Sequence, residues 1–478
     1  MDWSTSINDT VFDKARMWAL INGITCKGPT STSLRHAPFL LFPSIFPANS
    51  FNKALQIQST IGEVIHKVSR DSEFLLEVLK STIEVDDFTR KLYEVYKIVL
   101  NEGVAQEISL GILRTDYMLN KHNSNIGVSQ TTEEELKMIE INTIASSFAG
   151  LASQFPDFRR YILNITGHTN LIPQIPDNAP LKGIAEGLIA AWSLYGNPSA
   201  VILMVVEDIP NNIADQMHHE FAVKKLKPEV DFVICSLSKL HQYIKLSHSN
   251  KNLYFEGVEV SVVYYRAGYE PDHYSCDSDW ESRLLIERSN AIKCPSINLH
   301  LAGTKKVQQE LARPGVLERY LQDANMVKEI QETFVGIYSL DLTEEGDLAA
   351  AMAIKNPERY VLKPQREGGG NNVYGKDVAS TLLKLCCLKE RAAYILMELI
   401  KAPARNNVML RPESDKPIVG PMVSELGVYG VTIGNKESIM LNRTVGHLLR
   451  SKLQGTDEGG IVAGFGALDS PLLYEEVN

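Results

Sequence analysis

Residues 201–206, VILMVV, are six apolar side chains in a row. A run this short, rich in β-branched residues and followed by Asp208 and Pro210, predicts a strand rather than a helix. Because it is apolar on both faces, it predicts a parallel sheet covered by helices on each side. The neighbouring segments agree. LKGIAEGLIAAWS (181–193) has helical spacing, as does 212–225, while 231–235 and Val258 to Tyr265 have strand character. Strand–helix–strand alternation of this kind defines an α/β fold class with a compact unit near 197–300. The first 110 or so residues are predicted to be helical, with apolar residues at helical spacing from Ser69 to Gly103. TTEEE (131–135) has the composition of a helix start, whereas Leu136 to Asn142 alternates like a strand. From 359 onward short strands and helices mix, so the whole is mixed α+β.

A second feature is KPQREGGGNNVYG (363–375), which follows the apolar run Tyr360-Val361-Leu362. Three glycines free the backbone for φ > 0 and for close approach to a ligand. Their N–H groups can line an anion site. Lys363 and Arg366 add cations, and Glu367 adds a hard oxygen ligand. That combination suits a nucleoside triphosphate with Mg²⁺. No GK[ST] follows, and no G-x-G-x-x-G opens a helix, so two common phosphate-binding fingerprints are excluded. With 360–364 and 373–374 as strands, the loop is a hairpin tip. On spacing alone, a plain surface hairpin accounts for it equally well. Glu140 and Asn142 lie two apart on the predicted strand and so share a face. They could offer two oxygens to one Mg²⁺; a solvated strand face is the more common use of such a pair.

The 478 residues correspond to two to four domains at roughly 150 residues each. The net charge of −10 argues against a nucleic-acid binder that works through a basic surface. It leaves room for a local basic pocket. The six cysteines, 26, 235, 276, 294, 386 and 387, form no CxxC pair and read as free thiols of a reducing compartment. No run reaches the ~18 apolar residues of a membrane span, and residues 1–20 lack a signal-like apolar core. A cytoplasmic enzyme is expected, with secretion after signal removal as the other possibility. Sequons at Asn8, Asn164 and Asn442 carry little weight. His218-His219 is expected to pack rather than bind metal, because helix neighbours diverge. Trp192 and Tyr195 are expected in the core, and Lys306 is expected to be solvated.

The glycine loop, the EIN strand, LAGTKKVQQEL (301–311), SELG (424–427) and VGHLLRSK (445–452) together resemble eukaryotic glutathione synthetase. The resemblance runs from about residue 10 to 473. It implies an ATP-grasp fold: an N-terminal helical and main part (1–196), an inserted α/β substrate domain (197–302), and a second ATP-grasp part (303–478) with a lid at about 335–410. It implies a homodimer that joins γ-glutamylcysteine to glycine with ATP and two Mg²⁺ ions. The cysteinyl carboxylate would be phosphorylated and then attacked by the glycine amine.

Roles follow by position. Glu140, Asn142 and Glu367 would bind Mg²⁺. Lys305 and Lys363 would hold phosphates. Gly368, Gly369, Gly370, Asn371 and Asn372 would cover them, with Tyr374 beside the nucleotide. Met397, Glu398, Leu399 and Ile400 would form the adenine strand, and Glu425 would take the ribose. Lys452 and Glu458 would complete the ATP site. Arg114, Ser146, Ser147, Asn212, Gln216, Arg266 and Tyr269 would contact the peptide. Arg450 would neutralise a carboxylate or the developing phosphate charge. The segment 453–466 would close over the acceptor, with Ile461 and Val462 at the contact.

The departures from the family pattern fall on the peptide side. Pro210 and Asn211 stand where an acid and an arginine are usual, Ala267 where an aspartate is, Ala145 where a serine is, and Val462 where a smaller residue is. The acid at 210 would receive the substrate's α-ammonium. The other reading is therefore a diverged paralogue with altered peptide or acceptor specificity, even a secreted effector or a non-catalytic binding protein.

Overall fold

The computed structural model describes residue 3 and residues 8–475, apart from 29, 31–32, 127–128, 368, 458 and 462–463. The expected strand at 201–206 is Val201–Val206, buried along its full length. It lies between Phe232–Ser236 and Val258–Tyr265 and is parallel to both. Ile292–Cys294 adds a further parallel strand beside Val258–Tyr265. Helices Pro180–Tyr195 and Ile213–Leu226 flank this sheet in sequence, as their periodicity predicts.

A seven-stranded sheet forms the main body. Its order is Ala404–Leu410, Phe39–Leu40, Ala467–Asp469, Ile439–Leu453, Ile418–Gly434, Ser109–Ile126 and Ser129–Asn142. The four long strands pair antiparallel. Helix Ala48–Arg70 packs on this sheet with a stripe of Phe51, Ala54, Ile57, Ile61, Ile65 and Val68. The i, i+3, i+4 spacing of these residues is what selects a helix. A side chain at Gly62 would come within 2.7 Å of Thr432 Oγ1, so glycine allows the helix to sit close. The helices Ser72–Ile83 and Asp87–Glu102 begin where Asp71 and Asp86 accept the N–H groups of Phe74 and Thr89.

A third, four-stranded sheet has the order Ile337–Ser339, Tyr394–Glu398, Tyr360–Pro364, Val373–Tyr374. Helices Glu344–Lys355 and Lys376–Leu385 bury Ala349, Ala353, Val378 and Leu382 against it, which gives it an apolar core of its own.

Four expectations are corrected. The described residues between 25 and 47 are not helical but hold strands of two to four residues, among them Thr25–Lys27 and Ser44–Pro47. The TTEEE segment is part of the Ser129–Asn142 strand, because Ser109–Ile126 supplies a full ladder of partners. The region after 359 is not only short elements: Ile418–Gly434 and Ile439–Leu453 are 17 and 15 residues long. Lys306 is not solvated; it is 4% exposed and its ammonium donates to Asp341 Oδ2 at 2.7 Å. His219 is buried and Trp192 is in the core, as expected. The six cysteines are free. No described helix is long and apolar enough to cross a membrane.

Candidate active site

A cavity of about 1160 Å³ opens between the seven-stranded sheet, the four-stranded sheet and the strand ends of the parallel sheet. Strand register builds its floor. Arg450 faces Glu425 across one ladder, Asp116 faces Glu140 across another, and Arg114 faces Asn142. Arg114 and Asp116 are two apart on one strand and share a face. There the guanidinium of Arg114 donates twice to Asp116, at 2.6 and 2.8 Å. Arg450 donates to Glu425 at 2.8 Å through Nε, and to Asp116 at 3.2 Å.

The three residues expected to bind magnesium meet in this cavity. Lys305, at the start of the Lys305–Leu311 helix, places its ammonium 3.2 Å from Glu367 Oε1 and 3.6 Å from Glu140 Oε2. Asn142 gives the hydrogens of its amide to the Arg114 carbonyl and to Asp116, both at 3.0 Å. Its carbonyl oxygen is thereby left to accept. Burial alone would raise the Glu140 carboxyl, but Lys305, then Lys363, Arg450 and Arg114 outweigh it and hold it at about 2. Burial, with the Glu140 charge added, raises Glu367. Burial likewise lowers Lys363, whose ammonium donates to the Ile139 carbonyl at 3.1 Å.

Two carboxylates and an amide oxygen are a hard donor set that fits Mg²⁺, which takes its remaining ligands from phosphate and water. Among the described residues no group of three or more His, Cys, Asp or Glu forms an all-protein metal cage.

The glycine loop is the tip of an antiparallel hairpin, with Leu362 opposite Val373 and Val361 opposite Tyr374. Gly369 and Gly370 both have positive φ, 76° and 84°. Gly369, Asn371, Asn372 and Tyr374 line the cavity; Gly370 is exposed and is not part of the lining. The Asn372 amide donates to the Tyr374 hydroxyl at 3.2 Å. Arg366 is not a free cation, since it pairs with Asp86 at 2.6 Å and ties the hairpin root to the helical layer. The lining continues through Met397, Glu398, Leu399 and Ile400, but the strand ends at Glu398, so the last two are loop residues. Glu425 and Lys452 complete this half of the cavity.

At the other half, Arg114, Ser147, Asn212, Tyr269 and Ile461 are in the wall. Ser146, Gln216 and Arg266 are not; each is buried behind it. Ser146 donates to the Ile112 carbonyl, and Gln216 donates to Asn212 Oδ1. Arg266 donates to Asp215 at 2.7 Å and to Ser147 Oγ at 3.0 Å. Gln216 and Arg266 therefore position the wall residues Asn212 and Ser147, while Ser146 ties the bend to the Ser109–Ile126 strand. The bend that presents Ser147 is strained: Ala145 and Phe148 have φ of 49° and 76°. Asp215 holds it by accepting the N–H groups of Phe148 and Gly150. Ala267 is fully buried and outside the lining, so the missing aspartate there is a change behind the wall. Gly368, Glu458 and Val462 lie outside the described residues.

Sequence reasoning missed several groups. Asp116 joins Arg114, Asn142 and Arg450, and its signal was present in LRTDY, two residues beyond the arginine. Asp215 follows Asn212 by one helical turn. Glu207, Glu270 and His273 line the cavity next to Tyr269 and had no motif to mark them.

A pair of carboxylates beside a glycine hairpin, with the Lys305 and Lys363 ammonium groups next to them, in a cleft that continues past Arg450, suits a nucleoside triphosphate with a second substrate beyond it. The family profile described as "Eukaryotic glutathione synthase, ATP binding domain" matches residues 5–473. Glutathione synthetase of Homo sapiens is 43% identical over 458 residues, covering 95% of this chain and 94% of that protein. The chloroplastic glutathione synthetase of Solanum lycopersicum is 40% identical, covering 91% and 77%. A solved glutathione synthetase-like effector from Globodera pallida, in apo form, shares the fold with a TM-score of 0.76 at 24% identity, over 97% of this chain and 96% of that one. The chain belongs to the eukaryotic glutathione synthase family.

Proposed function

We propose that this chain forms glutathione from γ-glutamylcysteine and glycine, with ATP converted to ADP and phosphate. The observation that carries the reading is the convergence of Glu140 and Glu367 on the Lys305 ammonium beneath the hairpin. In this reading Glu140, Asn142 and Glu367 hold two Mg²⁺ ions, which neutralise phosphate charge when bound. Lys305 and Lys363 orient the phosphates, and the hairpin from Glu367 to Asn372 covers them. Tyr374 and residues 397–400 flank the adenine. Glu425 takes the ribose hydroxyls, and Lys452 closes the nucleotide end.

The peptide lies along Arg114, Ser147, Asn212 and Tyr269, so that its cysteinyl carboxylate meets the terminal phosphate. Arg450 neutralises that carboxylate, exchanging part of its contact with Glu425 for the substrate. An acyl phosphate forms, and the glycine amine displaces phosphate from it near Ile461. Positioning and charge neutralisation supply the catalysis. The working unit is a homodimer in the cytoplasm, where free cysteines are at home.

Identity of about 43% over nearly the whole chain favours this over a diverged, inactive paralogue. The test is ADP release. It is expected only when γ-glutamylcysteine, glycine, Mg²⁺ and ATP are all present. Release only with other thiol peptides, or tight ATP binding without turnover on any peptide, would overturn it.

A further inference from the structure

The peptide end of the cavity carries an uncompensated negative charge. Arg114 in its wall pairs with Asp116, and Arg266, buried behind the wall, pairs with Asp215. Glu207, just past the Val201–Val206 strand, faces the cavity with no lysine or arginine partner among the described residues. It is held in place from one side. The Tyr269 hydroxyl donates to its Oε1 at 2.9 Å. His273 accepts the Gly268 N–H at Nδ1, 3.0 Å, so its neutral ring carries the proton on Nε2, which lies 3.8 Å from the same carboxylate oxygen. The Tyr269 and His273 rings pack edge to face at 4.6 Å, which fixes both. Glu270 lines the same end; burial, and then the charges of Glu207 and Asp272, push its carboxyl up. Two carboxylates facing one space favour a cation between them. Nearby Pro210 has neither charge nor N–H to offer.

The structure assigns Glu207, seated by Tyr269 and His273, as the carboxylate that receives the α-ammonium of the γ-glutamyl substrate. It rests on the peptide orientation given above. It replaces the acid that Pro210 displaces, so the specificity contact has moved three residues upstream. The ammonium recognised is that of an α-amino acid headgroup, with Tyr269 and Asn212 beside it.

Steady-state kinetics of the full chain would test this with two peptides, γ-glutamylcysteine and N-glutarylcysteine, which lacks only the amino group. Wild type is expected to prefer the first in KM by roughly tenfold to a hundredfold, the worth of a charge-assisted hydrogen bond. In Glu207→Gln, which keeps the side chain's shape, that preference should collapse through a higher KM for γ-glutamylcysteine. The KM for N-glutarylcysteine and for ATP should hold. Tyr269→Phe should lose part of the preference. If Glu207→Gln discriminates between the two peptides as wild type does, the assignment is wrong while the proposed activity stands. If wild type turns over neither peptide, both readings fall together.

Discussion

At the residue scale, the arginines of the site are paired with carboxylates before any substrate arrives: Arg114 with Asp116, Arg450 with Glu425 and Arg266 with Asp215. The Asp215–Arg266 pair is fully buried on both sides and holds Ser147 and the Phe148 bend. Breaking one partner of such a pair leaves an uncompensated charge, at a cost of about 3–5 kcal/mol. Asp215→Asn is therefore expected to lower unfolding free energy in urea by that amount; a change below about 1 kcal/mol would contradict the burial argument. Asp116 shows how part of the site was legible and part was not. Glu140, Asn142, Lys363 and Glu367 have residue types that suit phosphate and magnesium, but their spacing alone left a plain hairpin and a solvated strand face open, and the family resemblance singled them out. Asp116 stands two residues beyond Arg114 in LRTDY, on the same face of the strand, but its contacts with Asn142 and Arg450 come from strand pairing that the sequence does not spell out.

At the element scale, the hairpin tip needs glycine because its backbone is left-handed at 369 and 370. A β-branched side chain at either position costs ~1–2 kcal/mol of local strain. Gly369→Val with Gly370→Val should raise the KM for ATP at least tenfold. The melting temperature should barely move, because the tip adds nothing to the apolar core of its sheet. An unchanged KM would mean that the loop does not cover the nucleotide. Elements with a strong pattern were legible: Val201–Val206, Val258–Tyr265 and Tyr360–Pro364 all have β-branched or apolar runs with clear ends. The strands between 25 and 47 are two to four residues long, too short for any period to show. TTEEE carried a helix-start composition that long-range pairing overrode.

At the scale of the whole molecule, buried neutral histidines set the acid limit. Burial lowers His66 and His219 to about 4, and His300 and His447 to about 3. The unfolded chain, with ordinary values near 6.5, takes up these protons first. Stability contributed by the neutral rings is thus complete above pH 6.5 and is lost as pH falls toward 4 and 3. His300 Nδ1 has no hydrogen-bond partner among the described residues, and its ring packs against Phe88. His300→Phe should shrink the loss of unfolding free energy between pH 7 and pH 5 by about 2 kcal/mol; an unchanged pH slope would contradict this.

The same view joins the three sheets around one cavity: the long antiparallel sheet carries the Arg114, Glu140, Glu425 and Arg450 charges, the small sheet with its own core carries the glycine hairpin, and Glu207 lies just past the Val201–Val206 strand of the third. The central claim is that Glu140, Asn142 and Glu367 together make a terminal phosphate transferable to a carboxylate. Trapping the acyl phosphate with hydroxylamine tests it most directly, using γ-glutamylcysteine, ATP and Mg²⁺ without glycine. Wild type should yield the peptide hydroxamate with matching ADP, and Glu367→Gln should yield at least a hundredfold less while unfolding at the same urea concentration. Equal hydroxamate from Glu367→Gln, or ADP from wild type with no hydroxamate, would contradict the account.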